Sequence, residues 1–303
     1  MSRFEKEQKI FEIGKLKVGG QPGELPTVLT GSIFYGGHKI VIDEKKGIFD
    51  KKASEDIINK IAGLSDMTSN PHVIDIVGST EEAFRKYIDF IAKVTDSPFQ
   101  IDSISAVARM GAAKYIAEVG LQDRAIYNSV FRATPQKEID IIKESKIKAS
   151  IVLADNPKDT TTNGKMEALE TALLKSEQAG IEKPLLDTAI EAYGADMGPG
   201  MRMLPIIKEK YGYPVGVGTG NITETCGWAK GNFPKHIRRA CDASMNAVMV
   251  TLGANWLMYG PVEIAKYIFP VIAVTDTQIL TMAAELGTMP LVEGMHPAFR
   301  TIG

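Results

Sequence analysis

Three polar side chains interrupt otherwise apolar runs at equivalent places along this chain: Asp102 in FQIDS, Asn128 in AIYNS and Asp187 in PLLDT. A carboxylate inside a β-forming run is costly unless it is hydrogen-bonded or faces a polar ligand. Three such interruptions in succession therefore point to a ligand site. Asp75 in HVIDIV, Asp155 and Asn156 after SIVLA, and Asn221 after VGVG extend the set. A single polar residue at a strand end is most often a helix N-cap, so the weight falls on the three embedded ones. No nucleophile accompanies them. Cys226 and Cys241 lie in or beside a helical stretch with no His at an activating spacing. The four histidines, His38, His72, His236 and His296, form neither HxH nor HExxH, and no catalytic metal is expected. His38 follows Gly36-Gly37 and could either reach a ligand or cap its own loop. Carboxylates with amides suit a flat heterocycle whose edge mixes donors and acceptors, such as a pterin. One Asp accepts two N–H groups, and an Asn amide both donates and accepts.

The elements that must position these residues repeat as a unit, a short β-rich run followed by an amphipathic helical stretch. The runs are Thr27–Phe34, His72–Val77, Phe99–Ser103, Ala125–Ser129, Ser150–Ala154, Pro184–Thr188, Val215–Gly218 and Trp256–Tyr259. Most are continuous rather than alternating, as expected of parallel strands buried on both faces. Between them, Ser79 and Glu82 read as a capping box opening a helix to Val94. Thr134 and Pro135 read as an N-cap and first position of a helix to about Ser145, and Met166–Gly180 as a helix closed by glycine. Eight strand–helix units with right-handed crossovers predict a single (β/α)₈ barrel over residues 1–303, with a doubly wound open sheet as the competing architecture. The nearest dinucleotide fingerprint, Gly216-Val-Gly218-Thr-Gly220-Asn221, lacks the third glycine at the required offset.

Lys plus Arg is 35 against Asp plus Glu at 37, a formal net charge of −2, so bulk electrostatics favours neither nucleic acid nor an anionic membrane. Two cysteines exclude a disulfide framework and a Cys-rich cluster. The N-terminal MSRFEKEQKIFEIG has no apolar core of a signal peptide, and no uninterrupted apolar run reaches the length of a membrane span. The chain reads as a soluble, cytoplasmic protein. Trp256–Asp276 is unusually apolar and aromatic for an outer barrel helix, which raises the expectation of a homodimer.

The block GGQPGELPTVLTGSIFYGGHKIVIDEKKGIFD, Gly19–Asp50, resembles the MtrH subunit of the tetrahydromethanopterin S-methyltransferases. It equally resembles the bacterial relatives that move methyl groups between a corrinoid protein and tetrahydrofolate in glycine betaine demethylation. IDSISAVARMGAAKYIAEVGL, RAIYNS, GANWLMYGPVE and FPVIAVTD are similar to the same family, so the resemblance covers nearly the whole chain. It implies a pterin-binding barrel, related more remotely to dihydropteroate synthase. It assigns the hydrogen-bonding edge of the pterin to Asp102, Asn128 and Asp187, and places Asn221 near N5, where the methyl group sits. Asp102 and Asn221 are then the catalytic candidates, and Asp155 a weaker pterin contact, because DNPKDTTTNG does not align securely. The corrinoid would come from a partner protein. The self-sufficient look of the chain favours tetrahydrofolate as the pterin, with a tetrahydromethanopterin-dependent or non-catalytic pterin-binding subunit as the alternative.

Overall fold

The computed structural model describes residues 3–194, 197–292 and 294–302. Its centre is a closed barrel of eight parallel strands: β3 (Val28–Ile33), β6 (His72–Val77), β7 (Phe99–Asp102), β8 (Ala125–Phe131), β9 (Ala149–Leu153), β10 (Lys183–Asp187), β11 (Val215–Gly218) and β12 (Trp256–Pro261). The strands pair in chain order and β12 closes on β3. Helices α1 (Lys51–Thr68), α2 (Glu81–Val94), α3 (Ala106–Val119), α4 (Gln136–Ser145), α5 (Thr162–Gln178), α6 (Met197–Tyr211), α9 (Lys235–Thr251) and α10 (Ala265–Ala284) cover it. The eight expected runs coincide with these strands, and the open-sheet alternative falls.

Why the runs are apolar on both faces is visible in how the core divides. Leu29, Ile74, Ile101, Tyr127, Val152, Leu186, Val217 and Leu257 point outward and join the core under the helices. Their neighbours of opposite parity, Val28, Val73, Ile126, Ile151, Leu185 and Trp256, form a separate inner cluster. A hairpin that the sequence reading did not identify, β1 (Ile10–Ile13) with β2 (Leu16–Gly19), inserts Ile13, Leu16 and Val18 into that cluster and stoppers the N-terminal end of the barrel. A second short hairpin, β4 (Val41–Asp43) with β5 (Ile48–Phe49), follows the first barrel strand.

Local signals were right in kind and shifted at the ends. The capping residue of α2 is Thr80, not Ser79, and its hydroxyl accepts from the Ala83 amide at 3.1 Å, while Glu82 pairs with Lys86. Pro135, not Thr134, occupies the cap position of α4; the Thr134 hydroxyl instead accepts from the Phe131 amide and closes the turn after β8. α5 begins at Thr162, four residues before the expected start, because the Thr161 hydroxyl caps it, and Gly180 beyond it has φ +75°.

The apolar stretch that raised the dimer expectation is buried in part inside the chain, while Tyr267 and Val274 on it stay exposed. Ile268, Phe269, Ile272 and Ala273 of α10 belong to the buried core, and Asp276 on the same helix is buried as well. Its carboxylate accepts from the Thr27 amide and hydroxyl and from Asn70, tying α10 to the entry of the first barrel strand. By length and composition Val262–Ala284 could cross a membrane, but 56% of its apolar window is buried inside the molecule.

Candidate functional site

Along the inner face of the barrel, one step of two residues changes apolar to polar. Val73 is followed by Asp75, Ile126 by Asn128 and Leu185 by Asp187, while on β12 Trp256 is followed by Met258. Strand pleating makes this legible, since residues two apart share a face. The C-terminal mouth of the barrel is thus a polar basin above an apolar floor, at the end where barrel enzymes place their chemistry.

On the floor of the basin, Asp75 is wholly buried. It accepts from the Ser32 hydroxyl at 2.6 Å and the Gln100 amide at 2.9 Å. Gln100 also reaches the Met258 sulfur at 3.1 Å, and Asn128 faces the same sulfur from β8 at 3.9 Å, so Met258 spans the barrel interior. Asp102, paired in register with Asn128, stands higher and is partly exposed. Burial pushes the carboxyls of both Asp75 and Asp102 above the usual carboxylate range. The charge of Asp75 raises Asp102 further, against the opposing pull of Arg109.

Across the basin, Asp187 is 3% exposed. Its carboxylate accepts from the Ala189 amide at 2.8 Å and from the Gly218 amide. Burial dominates and raises its pKa to about 7, with Glu191 adding and the Lys165 cation opposing. Lys165, itself buried, donates to the Ala189 carbonyl, and Ala189 holds φ +55°, a left-handed conformation that costs energy in any residue but glycine. The sequence reading missed Lys165, Gln100, Ser32 and Met258. Gln100 was detectable, lying two residues before Asp102 on one face of the same strand, whereas Lys165 comes from a helix, where no strand pattern can flag it.

The remaining candidates separate. Asp155, beyond β9, is partly exposed at the mouth. Asn156 is occupied structurally: it accepts from Arg132 at 3.0 Å and donates to the Gly164 carbonyl at 2.8 Å, shaping the loop before α5. Asn221 lies exposed in the first turn of α7 (Gly220–Thr225), with Thr219 at the cap position, so Asn221 is not the helix cap that its position also allowed. Two of the glycines before it, Gly216 and Gly220, serve packing. A Cβ on Gly216 would strike Trp256, and one on Gly220 would lie 2.8 Å from the Gly260 Cα. Both allow the chain to pack against itself. His38 caps its own loop: its Nδ1 accepts from the Phe34 amide at 3.1 Å where Phe34 has φ +65°, and its Nε2 meets Glu263 at 3.0 Å. Burial raises the Glu263 carboxyl, but the hydrogen bonds and charge of His38 and the Tyr35 hydroxyl outweigh this and hold it at about 2. Among the described residues no three His, Cys, Asp or Glu side chains gather as a metal site.

The closed eight-stranded barrel is a fold shared with the dihydropteroate synthases. The enzyme from Yersinia pestis bound to a pterin–sulfa conjugate superposes with a TM-score of 0.63 at 13% identity, over 91% of this chain and 100% of that one. The Xanthomonas albilineans enzyme with 7,8-dihydropteroate gives 0.58 at 17% identity, over 93% and 99%. Sequence comparison is more particular. The family model described as the tetrahydromethanopterin S-methyltransferase MtrH subunit matches residues 6–291. The corresponding tetrahydromethanopterin S-methyltransferase subunit of Methanothermobacter thermautotrophicus is 43% identical over the full length of both chains, and that of Methanosarcina barkeri 44% identical over 95% of each. The equivalent subunit of a putative methyltransferase, mtx, from Methanosarcina acetivorans is 40% identical over 98% of each. The chain belongs to the MtrH family of methyltransferase subunits.

Proposed function

We propose that this chain transfers a methyl group between N5 of tetrahydromethanopterin and a corrinoid carried by a partner protein. The observation that carries this reading is the convergence of Asp102, Asn128 and Asp187 on the barrel mouth of a methyltransferase-family chain. The 2-amino group and N3–H of a pterin are donors that suit the two carboxylates, and the Asn128 amide suits a mixed edge. Tetrahydrofolate, which the sequence alone favoured, gives way to tetrahydromethanopterin because the relatives from Methanothermobacter and Methanosarcina, alike over essentially the whole chain, carry that pterin in their names.

In this reading the chain binds and orients the pterin and supplies no nucleophile of its own. A methyl group on a tertiary amine is a poor electrophile because the departing nitrogen is strongly basic. A hydrogen bond to N5 that strengthens as the C–N bond breaks lowers that barrier. Asn221 is the residue for this role. It stands at the mouth after the seventh barrel strand, and its amide can donate to or accept from N5 without a change of charge. In the opposite direction N5 itself attacks the methyl group, and positioning supplies most of the rate.

Calorimetry with each pterin, followed by single-turnover transfer to free cob(I)alamin, tests the proposal. Tetrahydromethanopterin should bind at least tenfold more tightly and its methyl group should move. Equal or tighter binding of tetrahydrofolate overturns the choice of pterin, and absence of transfer from either methylated pterin overturns the activity.

A further inference from the structure

The connection from β11 to β12 adds α7 and α8 (Gly227–Asn232) ahead of the barrel helix α9, and this excursion, with the start of α9, presents apolar side chains to solvent. Trp228 is 67% exposed and Ile237 46%, with Phe233 set edge-on to Trp228 at a centroid distance of 5.2 Å, and Tyr193, from the segment between β10 and α6, is 52% exposed. Beside them opens a cavity of about 450 Å³ lined by Tyr193, Met201, Cys226, Trp228, Cys241 and Met245. Such a lining offers little to the hydrogen-bonding edge of a pterin and much to an apolar side chain.

The excursion is braced within itself and tied to the barrel at Thr219, whose amide donates to the Met258 carbonyl at 2.9 Å. The Thr219 hydroxyl donates to Asn246 at 2.8 Å, the Thr223 hydroxyl donates to Asp242, and the Tyr193 amide donates to the Thr225 hydroxyl at 2.7 Å. Trp228 follows Asn221 by seven residues on the same short helical path, so a partner resting on it bears on the segment that carries Asn221.

Charge narrows the choice of occupant. Between Asn221 and Val248 stand Lys230, Lys235, Arg238 and Arg239 against Glu224 and Asp242. Glu224 meets Lys230 at 3.4 Å and Asp242 meets Arg239 at 2.6 Å, which leaves Lys235 and Arg238 as surplus cations beside the apolar patch of a chain with net charge −2. Resting on the functional reading above, we infer that the α7–α9 excursion is the docking surface for the corrinoid-carrying protein, which meets it with an apolar side chain entering the Cys226–Met245 cavity and carboxylates opposite Lys235 and Arg238. Apolar contact at the centre with charge at the rim is how such surfaces combine affinity with orientation.

Trp228 is also a reporter, because the only other tryptophan, Trp256, is 2% exposed. Titrating the protein with the cob(I)alamin-loaded carrier protein should quench Trp228 emission, and binding should weaken as salt rises. Trp228→Ala combined with Ile237→Asp, and separately Lys235→Glu combined with Arg238→Glu, should each raise KM for the loaded carrier at least tenfold. Transfer to free cob(I)alamin should stay within twofold of wild type, since that substrate needs no protein contact. Unchanged KM for the carrier in both double variants, or an equal loss with carrier and free corrinoid, overturns the docking surface. Wild-type protein that binds the carrier through these residues yet transfers no methyl group retains the docking surface and overturns the functional reading instead. Wild-type protein that transfers to free cob(I)alamin but does not bind the carrier does the reverse.

Discussion

Asp187 and Asn221 differ in surroundings, and substitution should separate them. Asp187 is buried, held by two backbone amides and balanced by Lys165. Asp187→Ala should weaken tetrahydromethanopterin binding by roughly 2 to 4 kcal/mol, because donors of the ligand would be desolvated without a partner. Calorimetry measures this, and unchanged affinity in a folded variant removes Asp187 from the site. Asn221 is exposed and one residue inside α7 rather than at its cap. Asn221→Ala should therefore leave the melting temperature near wild type, where loss of a true cap would cost about 1 kcal/mol. Single-turnover transfer at saturating pterin should nonetheless slow by roughly one to three orders of magnitude, about 1.4 to 4 kcal/mol of transition-state stabilisation. Normal turnover would end the assignment.

Among the elements, the N-terminal hairpin makes the clearest division between stability and function. Leu16 is 5% exposed and packs with Val28, Val73 and Trp256 beneath the polar basin. Leu16→Ala should cost about 2 to 5 kcal/mol of unfolding free energy, the usual range for truncating a core leucine. Pterin affinity should change little, because the inner apolar layer lies between the hairpin and Asp75; chemical denaturation and calorimetry on one preparation check both. This division also marks what the sequence could reveal. The eight barrel strands were legible because burial on both faces makes runs such as SIVLA and WLMY continuously apolar, and the polar residues of the barrel mouth because each breaks such a run. The hairpin was not legible: IFEI and LKVG are four residues each, too short for periodicity to separate from coil, and they are ordered by the barrel that they plug. The packing role of Gly216 and Gly220 was not legible, because it depends on Trp256 and Gly260, partners about forty residues away.

At the scale of the molecule, the basin is a store of electrostatic cost that a ligand can relieve. Burial raises Asp75, Asp102 and Asp187 together, Asp187 to about 7 from an ordinary 3.8. Between those two values the folded protein keeps a proton that the unfolded chain has released. The unfolded state then binds fewer protons, so the contribution of Asp187 to stability is complete below pH 4 and is lost as pH rises through 7. By the measure of 1.36 kcal/mol per unit this is about 4 kcal/mol, an upper figure for one residue. Asp187→Asn keeps the shape and removes the titration. In the absence of pterin it should be more stable than wild type at pH 7 and indistinguishable from it near pH 4, read as melting temperature across that range. Saturating tetrahydromethanopterin should reverse the order at pH 7, because the donors of the bound pterin favour the ionised carboxylate and stabilise wild type more than the amide variant. If wild type and Asp187→Asn instead lose stability in parallel from pH 4 to 7, the cost lies with the other raised carboxyls, Asp75, Asp102 and Asp276, and the corresponding tests move to Asp102→Asn and Asp276→Asn.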